Sequence, residues 1–403
     1  MMMNKLRRFL ADKRGSLAVA FAVSMYPVMM MICAAIDLSR MSQQQARLQA
    51  ALDSAALRVA RQVADGKLTG DLNAAVLKAV QGNINPTELV NVQISAVMDG
   101  GVIRVSGTGM INPMIANILT DNNLQVSGTS AATWRTRKID LVLVLDNTGS
   151  MASSGKMAAL KTAAKNLIAS MQAVATRPDA VRIGIVPFDT QVNIGTTYKN
   201  QSWLSYSGVS NLSASNWTGC VTDRDQSYDV NDTTPTTSVP GTLFPARQCS
   251  TGVLASILPL TTDWAAMNAK VDQMSPSGNT NVTIGLAWGF HMLTPSQPLT
   301  EARTLATEPD LERIIILLTD GDNTQNRWTT NGNSIDARTD LACTNVKANG
   351  ITLYTVRVIN GDAALLRRCA SQTTMYYDVS TAAQLIPVFQ AIAAQIGQLR
   401  LTQ

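Results

Sequence analysis

From about Lys138 to the C-terminus the sequence predicts an α/β fold with a doubly wound, mostly parallel sheet. Ahead of it the sequence predicts one transmembrane helix and a small α+β module. Three observations carry this. Ile139–Leu145 is a largely apolar run, as a central strand buried on both faces requires, and it ends in the polar turn Asp146-Asn147-Thr148-Gly149-Ser150-Met151. Further strand-like runs at Val181–Phe188, Arg313–Thr319, Ile351–Val358 and Met375–Val379 alternate with helical stretches, and Ala382–Leu399 reads as a closing helix. Finally, the run SLAVAFAVSMYPVMMMICAAI, Ser16 to Ile36, has no charged residue and the ~20-residue length that crosses a bilayer.

Composition narrows the function classes. The chain has 403 residues, 46% hydrophobic and 15% charged, so it is globular and large enough for more than one core. Part of the net charge of +5 sits before the apolar run, on Lys5, Arg7, Arg8, Lys13 and Arg14. No later basic run is interleaved with aromatics, so no nucleic-acid partner is expected. The single histidine, His291, makes histidine-based acid–base or zinc chemistry improbable, and its place near the end of a helix over Thr283–Met292 suits a structural role. There is no G-x-S-x-G elbow and no phosphate loop, so no enzyme activity is expected.

Basic residues precede the apolar run and Asp37 follows it, so the positive-inside rule leaves the N-terminus in the cytoplasm and the bulk outside. A cleaved signal peptide is the competing reading; the run is long for one, and Ala34-Ala35-Ile36 is a poor cleavage site. Helical periodicity continues through Leu38, Met41, Leu48, Leu52, Ala55 and Val59, interrupted at Gln45. This stripe could join a second copy of the helix in a homo-oligomer, or pack on the next part of the chain. Gly15–Ala22, Pro27, Asp37 and the run Leu48–Leu57 together resemble the N-terminal segment of TadE/TadG-like Flp (tight-adherence) pilus-assembly proteins. The resemblance covers about the first sixty residues. It implies a single-pass inner-membrane protein with its bulk in the periplasm, working with pilus-assembly proteins.

Residues 66–137 read as a small α+β spacer after the juxtamembrane segment 1–65. A helix around Leu72–Val80 is followed by alternating runs at Leu89–Met98 and Val102–Met110, with a hairpin signal at Asp99-Gly100-Gly101. A third run, Leu124–Thr133, ends at Trp134. No cluster of reactive side chains marks this module.

Within residues 138–403, three pieces fall at strand ends or in loops, where open α/β sheets bind ligands. Asp146-x-Thr148-x-Ser150 offers a carboxylate and two hydroxyls, Gly278-Asn279-Thr280-Asn281 a third hydroxyl, and Asp320 follows the run Leu317-Leu318-Thr319. All are hard oxygen donors, which suits Mg²⁺, with Ca²⁺ or Mn²⁺ as alternatives. Neutral hydroxyls would leave the cation undercompensated and open to a carboxylate from a protein partner. Taken alone, the first piece could equally be a turn and helix cap. Together the three resemble the metal-ion-dependent adhesion site of von Willebrand factor A domains. That resemblance implies Thr148, Ser150 and Thr280 as direct ligands and Asp146 and Asp320 as ligands through water. Thr148 stands where many members have serine, which keeps the hydroxyl.

A polar stretch from about Asn193 to Ala255 reads as an insertion too long for an ordinary loop, and its Asp223, Asp225, Asp229 and Asp232 as a solvated loop before a calcium site. Cys33 lies in the apolar run. Cys220, Cys249, Cys343 and Cys369 fall outside the membrane, where disulfides persist. Four cysteines allow three pairings; the local pairs, Cys220 with Cys249 and Cys343 with Cys369, are expected. The function expected is a membrane-anchored, periplasmic, metal-dependent protein-binding component of Flp/Tad pilus assembly. A surface adhesin using the same site on host or matrix protein is the alternative.

Overall fold

A computed structural model describes residues 16–64, 67–68, 70–99, 101–111, 124–133, 137–175, 177 and 179–401. The basic residues Lys5 to Arg14, Gly15, the hairpin residue Gly100 and Trp134 lie outside the described residues. The chain forms two compact units, Met1–Arg135 and Thr136–Gln403.

In the first unit one helix, α1 (Ser16–Ala64), runs for 49 residues with Pro27 inside it. Its apolar part is long enough to cross a membrane by length and composition, and Val19, Phe21, Val23 and Tyr26 are all exposed. Further along, Leu48, Leu52, Ala55 and Val59 are buried, while Leu38 is exposed. The buried stripe packs on α2 (Leu72–Gln81) and on an antiparallel sheet of β1 (Val90–Asp99), β2 (Val102–Ile111) and β3 (Leu124–Thr133). Asp71 caps α2 by accepting from Ala74 N–H. Two glycines make room for α1. Gly107 and Gly128 face each other across β2 and β3, and a Cβ on either would lie 3.0 Å from a Leu52 methyl. The juxtamembrane helix and the strands after it therefore share one core.

The second unit has a six-stranded sheet in the order β10-β5-β4-β11-β12-β13. Five strands are parallel: β4 (Ile139–Asp146), β5 (Val181–Phe188), β11 (Glu312–Thr319), β12 (Thr352–Val358) and β13 (Tyr376–Val379). All eight residues of β4 are buried. Leu141, Leu143 and Leu145 face a layer containing α3 (Lys156–Val174), α4 (Trp264–Gln273) and α8 (Leu385–Leu401). Val142 and Val144 face the layer of α5 (Val282–Met292), α6 (Gly332–Ala348) and α7 (Ala363–Cys369). This is a three-layer α/β/α unit, with the strand's period of two dividing its side chains between layers. The antiparallel edge strand β10 (Leu258–Thr261) and α4 are additions to the elements expected. Pro259 suits an edge, where one backbone donor fewer is tolerated.

The insertion is folded. β6 (Val192–Asn193), β7 (Leu204–Ser205), β8 (Cys220–Val221) and β9 (Phe244–Arg247) form a small sheet, ordered β6-β8-β9-β7. Trp203, Trp217 and Phe244 are buried in a core continuous with Trp288 and Phe290 of α5. The expectation of a solvated acidic loop fails here. Asp223 and Asp229 are buried, Asp229 pairs with Arg338 and Asp225 with Arg327. Arg224, also buried, donates to the carbonyls of Asn231, Thr233 and Thr242. Asp223 and Asp229 are spent on Asn281, Arg338 and the Arg327 N–H, while Asp225 and Asp232 stay half-exposed, so the four do not form one open oxygen cluster. Disulfides join Cys220 to Cys249 and Cys343 to Cys369, each with Cα atoms 5.0 Å apart; Cys33 is free.

Candidate metal centre

Asp146 is the last residue of β4, beside Thr319 and Asp320 at the end of the neighbouring β11. Parallel register brings the two carboxylates together. Asp146 Oδ1 accepts from the Thr148 N–H at 2.8 Å, and Oδ2 accepts from Thr319 Oγ1 at 2.7 Å and Asp320 N–H at 3.3 Å. The first of these bonds folds the chain back on itself after the strand, as Asp does at turns. Thr148 Oγ1 and Ser150 Oγ are 2.9 Å apart, and Ser150 Oγ donates to Asp320 Oδ1 at 2.5 Å. Four of the five expected residues thus form one hydrogen-bonded group.

Thr280 comes from a separate loop that Asn147 holds in place. Asn147 Nδ2 donates to Ser275 O, its Oδ1 accepts from Ser275 N–H, and its carbonyl accepts from Ser277 N–H. Gly149 N–H then donates to Gly278 O at 3.0 Å. On the other side, Thr324 and Gln325 N–H both donate to Thr280 O, and Thr280 N–H donates to Thr324 Oγ1. Gly321 fixes where the hydroxyls meet: a Cβ placed there would lie 3.5 Å from Ser150 Oγ and 3.7 Å from Thr280 Oγ1. The hydroxyls of Ser150 and Thr280 therefore both border the space beside Gly321, where a Cβ would be in ordinary contact with each. Ser150 is exposed, whereas Asp146, Thr148, Thr280 and Asp320 are buried. The group has solvent on one side and dry protein on the other.

Three contributors escaped the sequence reading. Lys156, at the first turn of α3, is 2% exposed, and its amine pairs with Asp320 Oδ2. Asp189, just after β5, is buried and accepts from Gln191 N–H at 2.7 Å. Gly278, at φ +84, packs so closely that a Cβ on it would come within 2.7 Å of Asp189 Oδ2. Asn147 is the third. Burial first, and the charge of Asp320 second, push Asp146 up to about 6. Burial likewise pushes Asp189 up to about 6.

The donors are hydroxyls and carboxylates around a cradle, and they fit a hard divalent cation. Among the described residues no group of three or more His, Cys, Asp or Glu side chains could hold a metal. Any cation here would depend on the hydroxyls. His291 lies elsewhere, buried on α5 against Phe244 and Trp288, with neither ring nitrogen hydrogen-bonded. Burial, then the charge of Arg224, hold it neutral.

Residues 15–62 match the family model described as putative Flp pilus-assembly TadE/G-like, and residues 254–391 match the von Willebrand factor type A domain. The second match takes in the Thr280 and Asp320 loops and begins after the Asp146 turn. No curated protein matches the chain. Among solved structures, the chain is similar to the pilus adhesin SpaC of Lactobacillus rhamnosus GG in its open conformation, at 14% identity and a TM-score of 0.41. That likeness covers 77% of this chain and 34% of SpaC, so the chain spans about a third of the adhesin. It is similar also to the vWF domain of the type V pili tip protein Mfa5 of Porphyromonas gingivalis, at 14% identity and a TM-score of 0.42, covering 67% of this chain and 98% of that one. A third is proximal thread matrix protein 1 from the mussel byssus, in a structure with a zinc-occupied MIDAS motif, at 14% identity and a TM-score of 0.37, covering 65% of this chain and 46% of that one. In family terms, the chain joins a TadE/G-like Flp pilus-assembly segment to a von Willebrand factor type A domain.

Proposed function

We propose that this chain is a membrane-anchored, metal-dependent protein-binding component of Flp/Tad-type pilus assembly, held in the inner membrane by residues 16–36 with its bulk in the periplasm. The observation that carries the reading is the hydrogen-bonded group of Asp146, Thr148, Ser150 and Asp320, with the Ser150 and Thr280 hydroxyls both bordering Gly321. Thr148, Ser150 and Thr280 would hold a divalent cation, most simply Mg²⁺, with Asp146 and Asp320 acting through water. When bound, the cation supplies a positive centre for a carboxylate offered by a partner protein.

The chain's own residues set up that preference. Three of the five donors are neutral, and the Lys156 amine already offsets one of the two site carboxylates. Ser150 is the exposed donor, so a bound dication would meet a partner's carboxylate on that side. Asn147, Thr319 and Thr324 hold the three loops in register, so little ordering entropy is lost on binding. A binding role needs no turnover, and no catalytic base is proposed.

The test is crosslinked capture of partners from intact cells, with and without divalent metal, in the natural chain and in Thr280→Ala. Capture that needs both metal and Thr280, with pilus-assembly proteins among those captured, supports the proposal. Capture indifferent to both would sink it. Recovery of the chain at the outer surface, bound to host or matrix protein, would favour an adhesin using the same site.

A further inference from the structure

Beside the Thr280 loop lies a cationic and aromatic patch that the metal reading does not use. Asp223 Oδ2 accepts from Asn281 Nδ2 and from Arg327 N–H, each at 3.0 Å, which ties Arg327 to the residue after Thr280. Asn279 Nδ2 donates to Gln325 Oε1 at 2.6 Å, a second tie between the same loops. Arg327 carries its guanidinium 4.2 Å over the Trp328 ring, and Trp328 is 47% exposed. One edge of that guanidinium is engaged by Asp225 and the Asp223 carbonyl. Arg247 is half-exposed at the end of β9, opposite Cys220, and among the described residues its guanidinium bonds only the carbonyl of Ala246. It is in no ion pair among the described residues, and three residues on from its strand partner Cys220 the chain reaches Asp223, which holds Arg327; burial first, and the charge of Arg327 second, lower the Arg247 pKa.

We propose that Arg247 and Arg327, with the indole of Trp328, form a second recognition point for an acidic segment of a partner protein. One carboxylate of that segment engages the metal centre and another, further along the same peptide, pairs with the arginines. This rests on the proposed metal site for the first carboxylate only. Planar guanidinium groups match carboxylates in two-point pairing, and an exposed tryptophan braced by an arginine offers contact area at little entropic cost. A polyanion such as nucleic acid fits less well: Asp225 lies within the patch, half-exposed, and no row of basic residues extends it.

The experiment uses the full chain in zwitterionic nanodiscs and a fluorescein-labelled octapeptide of alternating Glu and Gly. Its Gln counterpart and a thymidine oligonucleotide serve as competing probes. Binding is read by anisotropy in Mg²⁺ and in EDTA for the natural chain, Arg247→Gln, Arg247→Lys, Trp328→Ala and Thr280→Ala. We expect Arg247→Gln and Trp328→Ala each to weaken Glu-peptide binding by about fivefold or more, in Mg²⁺ and in EDTA, with Arg247→Lys recovering only part. Unchanged binding in both variants, or tighter binding of the Gln peptide or the oligonucleotide, would overturn the proposal. Loss of binding in EDTA and Thr280→Ala alone would keep the metal reading and overturn the arginines. Loss in Arg247→Gln alone would do the reverse. If Arg247→Gln misfolds, Trp328→Ala on its exposed loop decides.

Discussion

Asp146 and Lys156 carry the electrostatics of the proposed metal centre, and both make testable demands. Asp146 sits at about 6, raised by burial and then by Asp320 from an ordinary 3.8. A folded-state pKa above the unfolded one means that folding favours the protonated form. The stabilising contribution is therefore complete below about pH 3.8 and is lost as pH rises through about 6. Cation binding needs the carboxylate and works in the opposite direction. In EDTA the melting temperature should fall between pH 4 and 7, less steeply in Asp146→Asn, and saturating Mg²⁺ should reduce the fall; a slope identical in Asp146→Asn would refute this origin. Lys156→Met removes one half of a buried ion pair and should cost about 3–5 kcal/mol at pH 7. Thermal melts should show the loss shrinking when Mg²⁺ is added. Neither demand was visible in the sequence. Lys156 follows Ser153-Ser154-Gly155 with nothing in the local sequence to mark it, and only the packing of α3 turns it onto Asp320.

At the scale of elements, the strands around the site were legible because β4 and β11 are apolar on both faces, β4 ending in Asp146 and β11 followed directly by Asp320. Such runs have few alternatives to a buried parallel strand. Helix α5 was legible for a similar reason, its Asn281 cap following the Thr280 loop. The insertion was not legible. Its strands are two to four residues long, too short for periodicity, and its order comes from Trp203, Trp217 and Phe244 meeting distant residues. Asp223 and Asp229 looked solvated for the same reason, since Asn281, Arg327 and Arg338 lie far along the chain. Gly278 is where two elements touch most tightly. Gly278→Ala places a Cβ against Asp189 at φ +84 and should cost about 1–3 kcal/mol while weakening cation binding. An unchanged melting temperature and cation affinity would contradict that packing. In the first unit, Leu52→Ala empties the space framed by Gly107 and Gly128 and should cost about 2–5 kcal/mol, read by thermal melts of that unit.

For the whole molecule, the proposal joins a tether, a small α+β unit built on the same helix, and a von Willebrand factor A unit that would carry the binding chemistry. The two disulfides belong to that last unit and are consistent with export of the bulk; mass spectrometry without reduction should find Cys220–Cys249 and Cys343–Cys369 linked in cell envelopes. Four free thiols would contradict the proposed topology. What binds at the proposed metal centre decides whether the proposed tether presents a receptor. The most direct measurement is calorimetric titration of Mg²⁺ into the metal-stripped chain at pH 7.5, with Thr280→Ala alongside. One saturable site per chain is expected, weakened at least about tenfold in Thr280→Ala with little change in melting temperature without metal. No saturable binding in the natural chain, or equal affinity in Thr280→Ala, would contradict it.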